Sequence, residues 1–488
     1  MAHAKHNSQG ESERGGQNKL DASNPSRDDS SEKNQHPTHT HEANRLTNHL
    51  GAPPTHTRGC AYLSCPIWLR LTWILILLLP IMRAIGKAIR IPGEENINSW
   101  AMTELMISNT AGFVRRGLGG SLLLWLHQFS PSPFLQEFGL LLALTTIFAS
   151  SLLILKGCLR LSPFDGFLIM FSPLSYPTFL SYATETVFRK DALAILFIIV
   201  ALLGLLLSEH RQYVFLLVMA CIILPVLTFI HEMIPFFCLV PLLLIYAPLL
   251  LRRIQSSSRA IIVAAALLLP CLATLALIRA NSHPTLPQVV AMCQAWQQYY
   301  PALACSPIRD AGTFSTMADQ SGSLQALEWI HSEPYSGRFR IEGVLVIFYL
   351  CAMAIGPLGR LVAVQTSRNR IQGGCVALLI GIFVLIPTTP MYWLGTDFGR
   401  WLGMATTIFV IITCNRRFTL SLVNALQEIG FFHLPLHRLG HWQWQRSLYA
   451  NSNGLILLIN FCLIPQAYHV LIWEYSPQLR ILLKPFGL

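Results

Sequence analysis

Long apolar stretches alternate with short polar clusters along most of this chain. A helix needs about 20 apolar residues to cross a bilayer, and about eleven stretches approach that length. They run over Ile67–Ile85, Phe138–Leu155, Phe167–Tyr182, Ala192–Leu207, Tyr213–Ile230, Met233–Leu251, Ala260–Ile278, Ile341–Leu361, Gly374–Thr388, Trp401–Cys414 and Leu455–Trp473. The pattern predicts an all-α polytopic membrane protein with about eleven transmembrane helices and the lipid bilayer as its partner.

Two of the apolar stretches depart from a plain crossing helix. Leu118–Phe129 is too short to cross and predicts an interfacial or re-entrant helix. The stretch Phe167–Tyr182 contains Pro173 and Pro177, which predict either a break that lines a wet cavity or an ordinary kink.

The composition agrees with a membrane protein and argues against a nucleic-acid partner. Hydrophobic residues make up 53% of the 488 residues and charged ones 12%, whereas soluble proteins are about 25% charged. The formal net charge of +11 fits the excess of Lys and Arg on the cytoplasmic side of membrane proteins. Residues 1–60 are polar and His-rich, so we expect a disordered cytoplasmic tail before a multispan domain over 61–488.

The distribution of basic residues predicts the orientation of the chain. With the N-terminus inside, the inward loops carry Lys and Arg with little acid. These residues are Lys156, Arg160, Arg211, Arg252, Arg253, Arg259, Arg360, Arg368, Arg370, Arg416 and Arg417. Two large loops, 86–137 and 279–340, then lie outside. The second contains Cys293 and Cys305, which form a disulfide if that side is oxidising and stay free thiols otherwise.

Four clusters that mix acid, base and aromatic residues fall on the predicted outer face. They are Phe113–Gly117, Glu185–Asp191, His231–Glu232 and Asp397–Trp401. Charge at a membrane boundary is costly unless it orients the chain or does chemistry. Because the four clusters share one face, we expect them to converge on one site.

The basic members of these clusters are candidate ligands for a phosphate group. Arg115 and Arg116 precede a glycine-rich helix start, where guanidinium and backbone N–H groups would bind phosphate. Arg189, Lys190 and Arg400 are the other candidate substrate-binding cations. The alternative for the arginine pair is simple contact with lipid headgroups.

The acidic and aromatic members suggest catalysis and sugar binding. His231 and Glu232 lie in a very short turn, where burial suits a general base or a proton site; a structural ion pair is the alternative. Asp397 is the other acidic residue that is a candidate for catalysis. Trp393 and Trp401 would stack on sugar rings, or instead form an interfacial aromatic belt.

Nucleotide, hydrolase and zinc-protease motifs are absent from the sequence. It contains no GxxxxGK[ST], GxSxG or HExxH pattern, and the cysteines show no zinc spacing. We therefore expect neither a metal nor a cofactor. A phosphorylated substrate would arrive on the outer face, most simply attached to a lipid.

With its arginine clusters and large late loop on one face, the chain resembles bacterial surface-polysaccharide membrane enzymes over about Pro66 to Trp473. These include Wzy-type O-antigen and capsule polymerases, O-antigen ligases and GT-C glycosyltransferases. The resemblance is architectural. It implies a polyprenyl-linked sugar substrate, a multi-pass inner-membrane location, and arginines that hold the donor's diphosphate without metal. In GT-C enzymes an acid of the first outer loop acts as base, which would be Glu94, Glu95 or Glu104 here.

A different class of protein also fits the sequence. The broken third stretch and the charges near the membrane are features of a transporter or a lipid-linked-oligosaccharide flippase. The position of the polar clusters at one face, instead of at mid-membrane, favours the glycosyltransferase.

Overall fold

In the computed structural model, the described part of the chain lies within Cys65–Leu488. The described residues are 97–129, 134–170, 172, 174, 189–254, 257–280, 284–306, 308–318, 344–391, 398–433, 451–457, 463–465 and 473–475, with helical positions at 71, 74, 75, 78, 82, 85, 86 and 89. The predicted tail over 1–60 lies outside them, as does most of the first predicted span.

Helices dominate the described part of the chain. In chain order they are α1 Trp100–Leu105, α2 Gly117–His127, α3 Phe134–Cys158, α4 Pro163–Met170, α5 Ala192–Gly204, α6 Glu209–Ile230, α7 Ile234–Ile254, α8 Ser257–Ala280, α9 Leu286–Gln297, α10 Gly312–Ala318, α11 Val344–Thr366, α12 Arg370–Leu385, α13 Phe398–Cys414 and α14 Arg416–Glu428. Short 3-10 turns cover Ile308–Asp310, Ile386–Thr388 and Phe431–His433. Single π-helical turns interrupt α6 at Met219–Ile223 and α11 at Ala354–Leu358.

Six of these helices are long and apolar enough to cross a membrane, namely α3, α6, α7, α8, α11 and α12. The apolar helices α5 and α13 are shorter, at 13 and 17 residues. The predicted fold class, an all-α multi-pass membrane protein, is therefore confirmed. The count of eleven spans and the inward N-terminus stay predictions.

Two of the predicted spans are not continuous helices. The third stretch forms α4 only to Met170, and Ser172 and Leu174 beyond it are not helical. In the eleventh, a helix over 451–457 is followed by strands β1 Leu463–Pro465 and β2 Trp473–Tyr475, which pair antiparallel. The prediction of one continuous helix over Leu455–Trp473 is therefore wrong. Prolines explain the first difference, because they cannot donate the backbone hydrogen bonds that a continuous helix needs.

The spans differ in how much of their surface other helices cover. In α7, 72% of the central window is buried, but in α8 the share is 22%. Exposed side chains of α8 include Ile261, Ile262 and Leu269. In water such a surface would aggregate, whereas in a bilayer it contacts lipid. The helix α7 is thus central and α8 peripheral.

One end of the helix bundle is built from short, basic turns. Arg417 donates a hydrogen bond to the carbonyl oxygen of Leu205 at 3.3 Å, and Gln365 donates one to that of Cys414 at 3.2 Å. The end of α3 also reaches this region, because Gly157 packs against Cys414. We call this the opposite end of the bundle, since the candidate site lies at the other one.

Near the other end, two loop regions distant in sequence pack together as a cap. One comprises 97–129, with α1 and α2, and the other comprises 284–318, with α9 and α10. The fully buried Trp296 donates its indole N–H to the carbonyl oxygen of Met106 at 2.6 Å. Asn98 exchanges hydrogen bonds with Ala302 and Ala304 at 3.0 and 2.8 Å.

A disulfide closes the second half of this cap. Cys293 and Cys305 are bonded, with their Cα atoms 5.7 Å apart, which settles the question that the sequence left open. The bond ties the C-terminal half of α9 to the segment that contacts Asn98. The second half of the cap is therefore closed by one covalent link, and several hydrogen bonds join it to the first half.

Candidate functional site

The short helix α1 places a buried carboxylate at the centre of the candidate site. The side chain of Ser99 caps the helix by accepting from the N–H of Met102. The Thr103 hydroxyl accepts from the N–H of Thr313 at 2.8 Å, which fixes α1 to α10. The next residue, Glu104, is only 1% exposed. The cap thus holds Glu104 in a place where its carboxylate has almost no contact with solvent.

Three basic side chains surround the carboxylate of Glu104. Its Oε1 lies 3.3 Å from Nη1 of Arg116 and 3.2 Å from Nε2 of His231. Its Oε2 lies 3.6 Å from Nε of Arg189. Burial alone would raise the pKa of Glu104, but Arg189, His231 and Arg116 outweigh it and hold that pKa well below the usual range. Glu104 is therefore ionised.

Arg116 joins Glu104 to a second acid through a two-pronged contact. Its Nε donates to both oxygens of Glu232, at 2.9 and 2.8 Å, and its Nη2 donates to Oε1 at 2.6 Å. Burial would raise the pKa of Glu232, but the charge and hydrogen bonds of Arg116 lower it strongly. Paired donation to a carboxylate is the strongest geometry that arginine forms.

The backbone of Arg116 is left-handed, with a φ of 66°. This conformation costs a non-glycine residue about 1–2 kcal/mol and persists where the surrounding structure imposes it. Arg116 immediately precedes α2, so the strained residue lies at the junction between the cap loop and the helix. Its guanidinium is therefore held on a backbone that stores some strain.

His231 connects Glu104 to a third acid, Asp191. Its Nε2 lies 2.9 Å from Oδ1 of Asp191, and its Nδ1 accepts the backbone N–H of Met233 at 3.2 Å. This arrangement places a hydrogen on Nε2, between the two carboxylates. Burial lowers the pKa of His231, but Asp191 and Glu104 outweigh burial and raise it.

Asp191 is also paired with Arg400, whose Nη1 lies 2.5 Å from Oδ2. Burial would raise the pKa of Asp191, but Arg400 and His231 lower it to about 2. The start of α5 and the start of α13 are thus joined by a buried ion pair. The residue three positions before Arg400, Asp397, lies outside the described residues.

Lys190 has the fewest partners of the deeply buried cations. It is 2% exposed, and its Nζ donates to the carbonyl oxygen of Arg116 at 3.1 Å. No ion pair within 4 Å involves Lys190 in the described part of the chain. Burial lowers its pKa to about 8, although Glu104 opposes that effect. Among the described residues Arg116 provides its one hydrogen-bond acceptor, so two of its three N–H bonds have no partner there.

Arg115 lies at the edge of this cluster. Its Nε is buried and has no hydrogen-bond partner among the described residues. Burial and the neighbouring Arg116 lower its pKa, while Glu232 raises it. The guanidinium of Arg279, exposed near the end of α8, contributes to the same electrostatic environment. A buried donor without a partner is costly unless something else satisfies it.

The described cluster carries more positive than negative charge. Its carboxylates are Glu104, Asp191 and Glu232, and its permanent or near-permanent cations are Arg115, Arg116, Arg189, Lys190 and Arg400. Five cations against three carboxylates leave a surplus of two positive charges, before His231 is counted. Such a surplus in a poorly solvated place favours the binding of a multivalent anion.

Most of the predicted site residues converge here. Arg115, Arg116, Arg189, Lys190, His231, Glu232 and Arg400 lie in or beside the cluster. Asp397 and Trp393 lie outside the described residues, as do Glu94 and Glu95. Trp401 is only 3% exposed and packs in the helix core, so its stacking on a sugar stays a prediction.

The glycines after Arg116 have a different role from the one expected. A side chain at Gly117 would meet the amide of Asn109, and one at Gly120 would meet the backbone of Ile107. These glycines therefore let α2 approach its own loop, not a ligand. Gly119 differs, because a side chain there would lie against Ile230 and near Nζ of Lys190.

Two central residues were not assigned to the site from the sequence pattern. Glu104 is suggested only by the resemblance to GT-C enzymes, and Asp191 appears only as the last residue of the cluster Glu185–Asp191. A signal for Asp191 does exist, since it directly precedes a 13-residue apolar helix. Glu104 has no comparable local signal, because the distant segment α10 fixes its position.

The described residues contain no group of three or more His, Cys, Asp or Glu side chains arranged to hold a metal ion. The acids of the cluster are instead paired with basic side chains. No protein family, curated protein or solved structure matches this chain. The chemistry of the cluster is therefore the main guide to function.

Proposed function

We propose that this protein is an integral membrane glycosyltransferase or polymerase that uses polyprenyl-phosphate- or polyprenyl-diphosphate-linked sugars. It would act at the periplasmic face of the inner membrane, in the synthesis of a surface polysaccharide. The observation that carries the proposal is the buried cluster in which Arg115 and Lys190 keep N–H groups that have no partner among the described residues, next to carboxylates that are paired with arginine. A lipid-linked phosphate sugar supplies both the anion and the apolar anchor for such a site.

The location of the site at one end of the bundle supports a lipid-linked donor. The peripheral helix α8 carries Arg279 in its last turn, close enough to affect Arg115 electrostatically, and exposes apolar side chains along its length. A polyprenyl chain in the bilayer could lie along this surface while its phosphate groups reach Arg115. No passage of the donor through water is then needed.

The disulfide supports the predicted orientation. Disulfides persist in oxidising compartments, such as the periplasm, and are rare in the cytosol. The bond between Cys293 and Cys305 lies in the cap, which also holds Glu104. The site end would therefore face the periplasm, and the basic turns of the opposite end would face the cytoplasm.

The residues of the cluster suit the chemistry of glycosyl transfer. Arg115 and Lys190, which have unused N–H groups, would stabilise the negative charge that develops on the departing phosphate. A carboxylate of the cluster would accept the proton of the acceptor hydroxyl. The position of Glu104 in the first predicted outer loop agrees with the resemblance to GT-C enzymes.

A flippase or transporter is the second candidate. The end of α4 at Met170, followed by the non-helical Ser172 and Leu174, favours it, because interrupted helices line substrate paths in transporters. Both candidates bind the same kind of lipid. They differ in whether the bond between sugar and phosphate is broken.

The test uses the purified full-length protein in vesicles that contain lipid-linked oligosaccharides extracted from the cells that produce it. We expect release of polyprenyl phosphate or diphosphate and growth of a glycan. Arg115→Lys keeps the charge but loses the fork of donors, so transfer should fall by roughly 10²-fold. Arg259→Lys, an exposed residue at the opposite end, is the matched control and should leave transfer unchanged.

One result would overturn the proposal, and another would remove one residue from the site. Movement of the intact lipid-linked sugar between leaflets, without cleavage, would establish the transporter. Equal transfer by Arg115→Lys and the unaltered protein would remove Arg115 from the site.

A further inference from the structure

Glu104 and Glu232 both contact Arg116, yet they depend on it to different degrees. Glu104 also contacts Arg189 and His231, and it is 1% exposed. Glu232 has Arg116 as its one ion-pair partner among the described residues, and its side chain is 14% exposed. If Arg116 moved away, Glu104 would remain neutralised, whereas Glu232 would lose its pairing.

Arg116 is also placed where it can move toward a ligand. Its side chain is 18% exposed, compared with 5% for Arg189 and 6% for Arg400. Its left-handed backbone stores strain that a change at this junction would relieve. Arg115 and Lys190, which have donors without a partner among the described residues, are both near Arg116: Arg115 precedes it and Lys190 donates to its carbonyl oxygen.

An anion that binds Arg115 and Lys190 would therefore compete directly with Glu232 for Arg116. A diphosphate carries more charge and more acceptor oxygens than one carboxylate, so it can draw the guanidinium away. The released Glu232 would stay in a poorly solvated place without a hydrogen-bonded guanidinium, with only the weaker influence of Arg115 and His231. A carboxylate in that position binds a proton more readily than a paired one.

We infer that Arg116 is an exchangeable latch, which holds Glu232 in the empty site and releases it as a base when a donor diphosphate binds. The inference rests on the proposed function for the identity of the donor. In the empty site the base is masked, so the site is inactive without its donor. When the donor is bound, Arg116 joins Arg115 and Lys190 on the phosphate groups.

The reaction then balances without a further reactant. The acceptor hydroxyl gives its proton to a carboxylate oxygen of Glu232, and its oxygen forms a bond to the anomeric carbon of the donor sugar. The bond between that carbon and the phosphate oxygen breaks, and its electron pair stays on the departing diphosphate. The charge gained there is met by Arg115, Arg116 and Lys190. Glu104 remains paired with Arg189 and His231 throughout.

The latch makes an unusual prediction about Glu232→Gln. Because Glu232 competes with the ligand for Arg116, its removal should tighten the binding of inorganic diphosphate while it abolishes transfer. In Glu232→Gln, diphosphate no longer has to break at least one charge-assisted hydrogen bond between Arg116 and a carboxylate, which is worth about 1.5 kcal/mol. The Kd for diphosphate should therefore fall about tenfold. Transfer from the lipid-linked donor should fall by roughly 10²-fold or more.

Glu104→Gln is the control, because it removes the same charge from the same cluster. Its carboxylate does not depend on Arg116, so we expect a smaller gain in diphosphate affinity than for Glu232→Gln. Calorimetric titration of the detergent-solubilised full-length protein measures both values. Glu232→Asp is the second variant if the first does not fold, since its shorter carboxylate loosens the latch but keeps a base. It should bind diphosphate more tightly and retain partial transfer.

The possible outcomes separate this inference from the proposed function. If Glu232→Gln binds diphosphate no more tightly than Glu104→Gln, or keeps full transfer, the latch is wrong even where the unaltered protein is a transferase. If the affinity rises as expected but the unaltered protein cleaves no lipid-linked sugar, the exchange at Arg116 stands. The proton transfer then falls together with the proposed function.

Discussion

The disulfide of the cap offers a quantitative test of how Glu104 is held. We consider Cys293→Ser, which opens the link without a large change in side-chain volume. Cys293 and Cys305 are separated by 12 positions, and cross-linking a loop of that length restricts the unfolded state by about 3 kcal/mol in the chain-entropy treatment. Local opening of the cap should therefore become on the order of 10²-fold more frequent.

Hydrogen exchange measures this opening directly. In Cys293→Ser, peptides that cover 284–306 and 97–107 should exchange faster, because Trp296 and Met106 join the two halves through one hydrogen bond. Peptides from the central helix α7 should be unaffected. Cys221→Ser, which removes an exposed free thiol from α6, is the matched control. Unchanged exchange in the half of the cap that contains Met106 would refute the idea that the disulfide holds Glu104 in place.

Two further predictions concern charge. Lys190 has a pKa of about 8, so its charge is present below that pH and is lost as the pH rises through it. We therefore expect kcat/KM to fall above about pH 8, and Lys190→Arg, which stays charged, should remove this alkaline decline. If the variant and the unaltered protein have the same pH profile, Lys190 does not bind the donor. For the orientation, reporter fusions within 282–333 should report the periplasm and fusions after Arg370 the cytoplasm; a cytoplasmic signal from 282–333 would overturn the placement of the site.

The convergence of the site could be predicted because it follows from the ends of the spans. Residues such as Arg189 and Glu232 are far apart in sequence, but each adjoins an apolar helix at the same end. In a membrane the backbone must be hydrogen-bonded within the helix, and the apolar segment must match the thickness of the bilayer. These two requirements fix where each end of the helix lies. The number of charges at that end could therefore be read from the sequence.

The individual partners could not be predicted in the same way. The structure pairs Arg400 with Asp191, which is distant in sequence and precedes a different helix. Spacing rules describe neighbours on one helix, whereas buried charges choose partners across helices, where desolvation is greatest. Glu104 illustrates the same limit, because α1 is fixed by hydrogen bonds to a segment about 200 positions later.

The hydrogen bond between Trp296 and Met106 joins residues that are 190 positions apart in the sequence. This separation determines the order in which the parts of the site form during synthesis. At ordinary rates of synthesis, Met106 leaves the ribosome about 10 to 40 s before Trp296. During that interval Glu104 has no cap to hold it, although several of the later helices have already entered the membrane. The cap is closed only when Trp296 has been made and Cys293 is joined to Cys305, and the ion pair of Asp191 with Arg400 needs a segment that is synthesised later still. Under the proposed function, a newly inserted chain could therefore not consume lipid-linked sugar before its folding is complete.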